Sequence, residues 1–225
     1  VAVRIGIFGD IHGDWASMQR VLAALEAAGP DRLVCTGDLV VHGPDSEACV
    51  DYMRRHPEIV CVKGNHDHGA SVPDDEVEGL HFFSRAGYRH TMEAREALSP
   101  ENRAYLQALP DRLEVEGATV THATLRSKFE LLNNRFTIET LFADMETPWL
   151  FAGHSHRSVV HRLEVSRVAS FRPLLTGRPV RLNPAVPTII NVGNTAQLLY
   201  DRFPPVYVLW DTEERVVEFR EVDLD

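Results

Sequence analysis

Cysteine is scarce in this chain. Only Cys35, Cys49 and Cys61 occur, an odd number with no Cys-x-x-Cys pair. That argues against a disulfide framework and against a thiolate-type structural zinc site. Cys35 and Cys61 sit inside the apolar runs RLVCTG and IVCVKG, so they read as buried strand thiols in a reducing compartment, and a cytoplasmic location is expected. No apolar run is long enough to span a bilayer, so no membrane association is expected. The opening VAVRIGIF is apolar but short and lacks a basic leader and a cleavage site, so it reads as a first strand and not a signal peptide. Repeats, low-complexity tracts and clear linkers are missing. So are a P-loop lysine motif and a His-Glu-x-x-His helix. In Gly153-His154-Ser155-His156-Arg157, an arginine stands where a Gly-x-Ser-x-Gly nucleophile elbow needs its last glycine. Basic residues are outnumbered, 23 against 33 acidic, for a formal charge of −10. Long nucleic acids are therefore disfavoured as partners, while a small anionic substrate stays compatible, because bound metal ions can reverse the local sign.

What is present is ordinary globular material: 225 residues, 44% hydrophobic and 25% charged, enough for one domain over residues 1–225 with a full core. The first third alternates strand and helix signals. Strands are expected at Val3 to Phe8, Arg32 to Thr36 and Ile59 to Val62. Between them lie a helix carrying Trp15, Met18, Val21, Leu22 and Leu25, stopped by Gly29-Pro30, and a helix from Asp45 to Arg55, stopped by Pro57. This order implies parallel strands with helical crossovers. An acidic loop, Pro73 to Gly79, is followed by weak helical segments and by a helix opened by Ser99-Pro100 and ended by Pro110. LEVEGATVTH reads as strand, turn, strand; Thr137 to Asp144 as a helix; and TPWLFAGH as a buried strand. Later strands are expected at Ser158 to Leu163, Arg178 to Leu182, Thr188 to Val192, Val206 to Trp210 and Arg215 to Val222, with a hairpin turn at Asp211 to Glu214. Arg167 to Pro179 looks the most loop-like. The expectation is an α/β first half whose chain returns through a mainly antiparallel second sheet.

Five polar clusters, GDIHGD, TGDLVVHGPD, KGNHDHG, THAT and AGHSHR, each follow an expected strand directly. Ligands in open α/β sheets collect beyond the carboxyl ends of strands, so the five can share one cavity. Each is weak alone. Asp10-x-His12 is ordinarily a surface aspartate with a helix-capping histidine, Asp38 a turn aspartate, and His122 a structural residue. Gly153-His154-Ser155-His156 is more specific, because two imidazoles at i and i+2 after a glycine can aim at one site. Asn65 offers a neutral carbonyl oxygen, His66 can exchange a proton near neutral pH, and Asp67 can orient that imidazole. Asp10, His12, Asp38, Asn65, His122, His154 and His156 are too many donors for one metal with water access. They suit two ions sharing a carboxylate.

In this order (Asp-x-His, Gly-Asp, Gly-Asn-His-Asp, His, Gly-His-x-His) the residues from Gly9 to about Asn194 resemble the calcineurin-like metallophosphoesterase superfamily. GDLVVHGPD and the late NVGN are most similar to its small bacterial and archaeal phosphodiesterase branch. The resemblance implies a four-layer α/β/β/α sandwich of two mixed sheets flanked by helices. It implies one metal on Asp10, His12, Asp38 and His156, a second on Asp38, Asn65, His122 and His154, and His66 as general acid supported by Asp67. The metals of such a centre are manganese foremost, with iron, zinc or nickel as alternatives. Two positions depart from the family's patterns. Val41-His42-Gly43 stands where the superfamily's serine/threonine phosphatases carry Asp-Arg-Gly, which argues against a protein substrate. Asn191-Val192-Gly193-Asn194 ends in Asn where the small phosphodiesterases usually have Ser.

The expected reaction is hydrolysis of a phosphodiester or small phosphate ester, a nucleotide included. A hydroxide bridging the metals attacks phosphorus in line, and His66 protonates the leaving oxygen. Asn65, Arg126 and His68 are candidate substrate contacts, a solvated loop position being the ordinary alternative for the last two. Phosphomonoesterase or dinucleoside polyphosphate hydrolase activity on the same site, and a non-catalytic scaffold of this fold, are the competing readings. Composition and pattern do not set the oligomeric state.

Overall fold

The computed structural model describes residues 2–73, 85–165, 167–197 and 204–222. Parallel strands β1 (Arg4–Phe8), β2 (Arg32–Cys35) and β3 (Ile59–Cys61) are joined by helices α1 (Trp15–Ala28) and α2 (Ser46–Arg55). Local chemistry sets the ends of α1. The Asp14 carboxylate accepts from Ser17 N at its start, and Gly29 adopts a left-handed φ of 64° at its close. After β3 come α3 (Asn65–Ser71), α4 (Arg85–Ala97) and α5 (Pro100–Ala108), the last opened by the Ser99 hydroxyl, which accepts from Asn102 N. Strands β4 (Arg112–Val115) and β5 (Ala118–Thr121), helix α6 (Arg135–Asp144) and strand β6 (Trp149–Ala152) follow. The chain ends in β7 (Val159–Glu164), β8 (Arg167–Phe171), β9 (Val180–Arg181), β10 (Thr188–Asn191), β11 (Val206–Asp211) and β12 (Val216–Glu221).

These strands form two six-stranded sheets, ordered β3-β2-β1-β11-β12-β9 and β4-β5-β6-β10-β7-β8. Both are mixed. β1, β2 and β3 run parallel in the first, and β5, β6 and β10 run parallel in the second. The period-2 alternation of side chains divides the core into layers. Ile5, Ile7, Trp149, Phe151, Ile190, Val208, Trp210 and Phe219 fill the space between the sheets, where the Phe151 and Trp210 rings lie 5.0 Å apart. Phe8 packs with Met18, Val21, Leu25, Val50 and Met53 of α1 and α2. Leu150, Ala152 and Ile189 on the opposite outer face pack with Leu141 and Phe142 of α6. The result is the four-layer α/β/β/α sandwich. Among the described residues, no helix is long and apolar enough to cross a membrane.

Several expectations shift. The late strands do not form one returning antiparallel sheet, because β9, β11 and β12 join the first sheet while β7, β8 and β10 join the second. The first part of the loop-like Arg167 to Pro179 stretch is strand β8, paired to β7 at the edge of its sheet, with the Arg162 guanidinium 5.1 Å from the Phe171 ring centre. β9 is reduced to Val180–Arg181. α6 starts at Arg135, earlier than Thr137, because the Asn134 side chain caps it by accepting from Thr137 N. The cluster beginning at Asn65 is not a plain turn but opens a helix. The acidic loop from Pro73 to Gly79 lies outside the described residues beyond Pro73.

Candidate metal centre

Each of the parallel strands β1, β2, β3, β5 and β6 runs straight into one of the polar clusters, so both sheets deliver their clusters to the same edge of the sandwich. The loops after β1 and β2 are laced together by backbone bonds: Asp10 N donates to Gly37 O (2.9 Å), and Ile11 N and His12 N donate to Asp38 O (2.8 and 2.9 Å). The β6 loop is tied across the sandwich, since His154 N donates to both carboxylate oxygens of Asp10 at 3.0 Å. Gly153 is required there, because a Cβ on it would collide with the Asp10 carboxylate. Gly64 is required against Asp38 for the same reason.

The expected donors converge. Asp10, His12 and His156 form one group, and Asp38, His122 and His154 a second, each with its ligand atoms within 4.8 Å of one another. Asp38 lies between them, with Oδ2 3.8 Å from His12 Nε2 and 3.2 Å from His122 Nε2. Asn65 lies beside the second group, its Oδ1 2.9 Å from His122 Nε2. All of these except His154 and His156 are buried.

The atoms facing one another test whether a cation fits. His122 Nδ1 donates to Thr36 O at 2.8 Å, which leaves the Nε2 lone pair directed at two oxygen acceptors, Asn65 Oδ1 and Asp38 Oδ2. In the first group, Nε2 of His12 and Nε2 of His156 meet at 2.9 Å. Lone pairs converging in a buried space repel unless a positive charge sits among them. Without metal a proton takes that place. Burial opposes charge on His122, yet the charge of Asp38 and its hydrogen bond outweigh burial and raise the imidazole to about 10. Burial would raise Asp38 as well, but His122 and His66 hold it well below the usual carboxylate range. Burial lowers His154 to about 4, and it lowers His12 well below its ordinary value. Buried His12 Nδ1 has no hydrogen-bond partner among the described residues. This donor set of imidazole, carboxylate and amide oxygen suits divalent transition metals.

Backbone conformation carries the same signature. Asp10, His12, Asp38, His154 and His156 all have φ between 50° and 64°, in the left-handed region, which non-glycine residues seldom adopt. They are five of the nine such non-glycine residues among those described, so the strain is concentrated on the donors.

Other expected residues are placed differently. His66 lies at the site, its ring centre 5.4 Å from that of His12 and its Nδ1 3.3 Å from the Thr91 hydroxyl. Asp67 has other partners than the His66 ring expected for it. Its oxygens accept from the backbone N of Asp38 (2.8 Å), Leu39 (2.8 Å) and Gly64 (2.9 Å), which locks the start of α3 onto the Asp38 loop. Burial and the neighbouring Asp38 charge push Asp67 up to about 7. His68 is buried, edge-on to Phe129 at 6.0 Å. Arg126 is not brought to the cluster, because its guanidinium is exposed and held by both oxygens of Asp144 at 2.6 and 2.8 Å. Asn194 is buried and donates to Ala196 O, so it shapes its own loop. Two residues escaped the sequence reading as site members. His42 lies 5.1 Å from His12, 5.0 Å from His66 and 5.6 Å from His90, ring to ring. Thr91 is the second. His42 was read only within Val41-His42-Gly43, as a departure from the protein-phosphatase pattern, and Thr91 carried no signal at all.

A family model described as calcineurin-like phosphoesterase matches residues 3–158. An uncharacterized protein of Methanocaldococcus jannaschii is 25% identical over 98% of this chain and 88% of its own length. A metallophosphoesterase from Sphaerobacter thermophilus superposes with a TM-score of 0.78 at 28% identity, covering 99% of this chain and 89% of that one. A hypothetical protein from Pyrococcus horikoshii gives a TM-score of 0.70 at 15% identity over 99% and 89%, a likeness of fold. With its donor groups convergent on two mixed sheets, the chain belongs to the calcineurin-like phosphoesterase family and is a metal-dependent phosphoesterase.

Proposed function

We propose that the chain hydrolyses a phosphodiester, or another small phosphate ester, with two divalent ions, manganese foremost. Asp10, His12, Asp38 and His156 hold one ion, and Asp38, Asn65, His122 and His154 the other. The observation that carries this reading is the position of Asp38, whose buried Oδ2 faces imidazoles of both donor groups. Ions bound there supply positive charge to the phosphoryl oxygens and lower the pKa of an attacking water. His66 gives the proton to the leaving oxygen, a contribution of roughly 10²–10⁴-fold. Its Nδ1 faces Thr91, so the proton is assigned to Nε2. Burial lowers His66 to about 4, and the negative charge of a bound ester is what brings it into the protonated form near neutral pH. Asn65 and His68 border the substrate from α3.

A single domain over residues 1–225 belongs to the same proposal, supported by the apolar core that joins the two sheets. A cytoplasmic setting does too, supported by three free buried thiols. The test is metal analysis of the purified protein together with hydrolysis of aryl diesters, aryl monoesters and cyclic nucleotides under manganese, iron, zinc and nickel. About two ions per chain and metal-dependent diester cleavage are expected. Absence of turnover with every metal refutes the proposal.

A further inference from the structure

A groove of about 590 Å³ opens beside the candidate metal centre. Its inner end is formed by His154 and His156, so it begins at the donors and continues outward past Arg157 and Arg172, with Leu131 and Ile138 on an apolar wall. That volume is in the range of small-molecule sites. Its floor is polar, His161 Nδ1 meeting Ser170 Oγ at 2.7 Å.

Charge distinguishes this groove from the rest of the surface. The chain carries a formal −10, yet none of the groove's lining residues is acidic and two are arginines. Nearby arginines are committed elsewhere: Arg126 to Asp144, Arg135 to Glu139 and Arg167 to Glu164. Arg157 and Arg172 are exposed and have no carboxylate partner among the described residues. Two guanidinium groups that no carboxylate holds, on a groove that reaches a phosphoesterase centre, are available to further phosphate oxygens. Leu131, 42% exposed, gives an apolar surface beyond them.

We propose that this groove is the leaving-group subsite and that it takes a nucleoside carrying two or more phosphates. Water adds to the phosphorus at the metal centre, the bond from that phosphorus to the oxygen shared with the next phosphate breaks, and the nucleoside polyphosphate leaves with that oxygen, its phosphates on Arg157 and Arg172 and its base against Leu131 and Ile138. This deepens the phosphoesterase reading and rests on it. An ester with a short neutral leaving group leaves both arginines unused, so the groove discriminates among esters that the centre itself cannot tell apart.

Calorimetric titration of ADP, adenosine and inorganic pyrophosphate into the full-length, manganese-loaded chain tests the assignment without turnover. ADP is expected to bind more tightly than either of the other two. R157Q and R172Q should each weaken ADP about tenfold, the loss of one charge-assisted contact. R178Q, an exposed arginine outside the groove, should change nothing. ADP binding to an R157Q/R172Q double variant as tightly as to the parent overturns the subsite, and pyrophosphate binding as tightly as ADP overturns its nucleoside half. A melting scan confirms that each variant is folded. A chain that hydrolyses no ester with any metal defeats the parent reading, yet the titration still decides whether the groove binds ADP.

Discussion

Five donors held at positive φ make the backbone at the centre a source of strain, costing about 1–3 kcal/mol per residue away from Gly, with Asn, Asp and His the cheapest exceptions. The choice of substitution therefore matters. Asp38→Asn keeps a residue that tolerates φ 56° but loses the charge shared by the two groups. It should reduce kcat/KM by about 10³-fold or more, several kcal/mol of lost electrostatic stabilisation, and it should lower the melting temperature of the metal-free protein at neutral pH, because buried His122 loses the carboxylate that holds its proton. Steady-state rates with metal analysis check this; near-parental kcat/KM would remove Asp38 from the centre. Thr91 is the other position to probe. Its hydroxyl donates to Gly87 O at 2.8 Å and faces His66 Nδ1, which suits it to orient that ring. Thr91→Val should slow esters with poor leaving groups about tenfold and spare those with good ones, and it should shift the acid limb of the kcat profile. Equal loss for both kinds of ester would make Thr91 merely structural. Legibility at this scale followed distance along the chain. The seven candidate donors were readable because each of their clusters follows an apolar run. The partners of Asp67 were not, because Asp38 and Leu39 come from a loop almost thirty residues earlier and nothing in Asn-His-Asp encodes that approach.

Among the elements, α2 and α5 are joined by a small polar stitch. Glu47 accepts from Ser99 N at 3.0 Å, Asn102 donates to Glu47 O, and Arg54 donates to Asn102 Oδ1 at 2.8 Å. Burial alone would raise Glu47, but hydrogen bonds from Ser99 and the Asn102 side chain to its carboxylate lower its pKa below the ordinary value. A carboxyl lowered on folding stabilises above its unfolded pKa, and that stability disappears as pH falls through the folded pKa. Glu47→Gln should therefore cost stability at neutral pH, with the difference from the parent vanishing in acid; urea melts at pH 7 and pH 3 check it. Ser99→Ala should cost about 1 kcal/mol through the lost α5 cap and leave turnover intact. The capped helices α1 and α5 were legible because their signals are local. β8 was not, since a short, half-exposed edge strand lacks the clean alternation of a buried one. Nor could local pattern divide the late strands between the sheets, because that division depends on which distant strand each one meets.

At the scale of the whole molecule, the centre lies across both sheets, with Asp10, His12, Asp38 and Asn65 following strands of one and His122, His154 and His156 following strands of the other. Ions bound there would clamp the sandwich. Saturation at about 100 times Kd contributes about 2.7 kcal/mol, and for a chain of this size that corresponds to roughly 5 °C or more in Tm. Chelation followed by manganese titration in a melting assay should show this rise, and His156→Asn, which replaces the imidazole by a shorter and weaker amide oxygen but suits a left-handed φ, should diminish it. An unchanged Tm across the titration would contradict a clamp.

The pairing of β1 with β11, which sets Arg4 opposite Asp211, has a consequence for biosynthesis. A ribosome releases β1 long before its antiparallel neighbour exists, and a strand waiting with an open edge is exposed to wrong pairing. The donors after β1, β2 and β3 emerge early, but those from the second sheet emerge late, with His156 the last of them. Even so, His156 precedes β7 to β12 in the chain, so every candidate donor is made before β11, the partner that closes the open edge of β1.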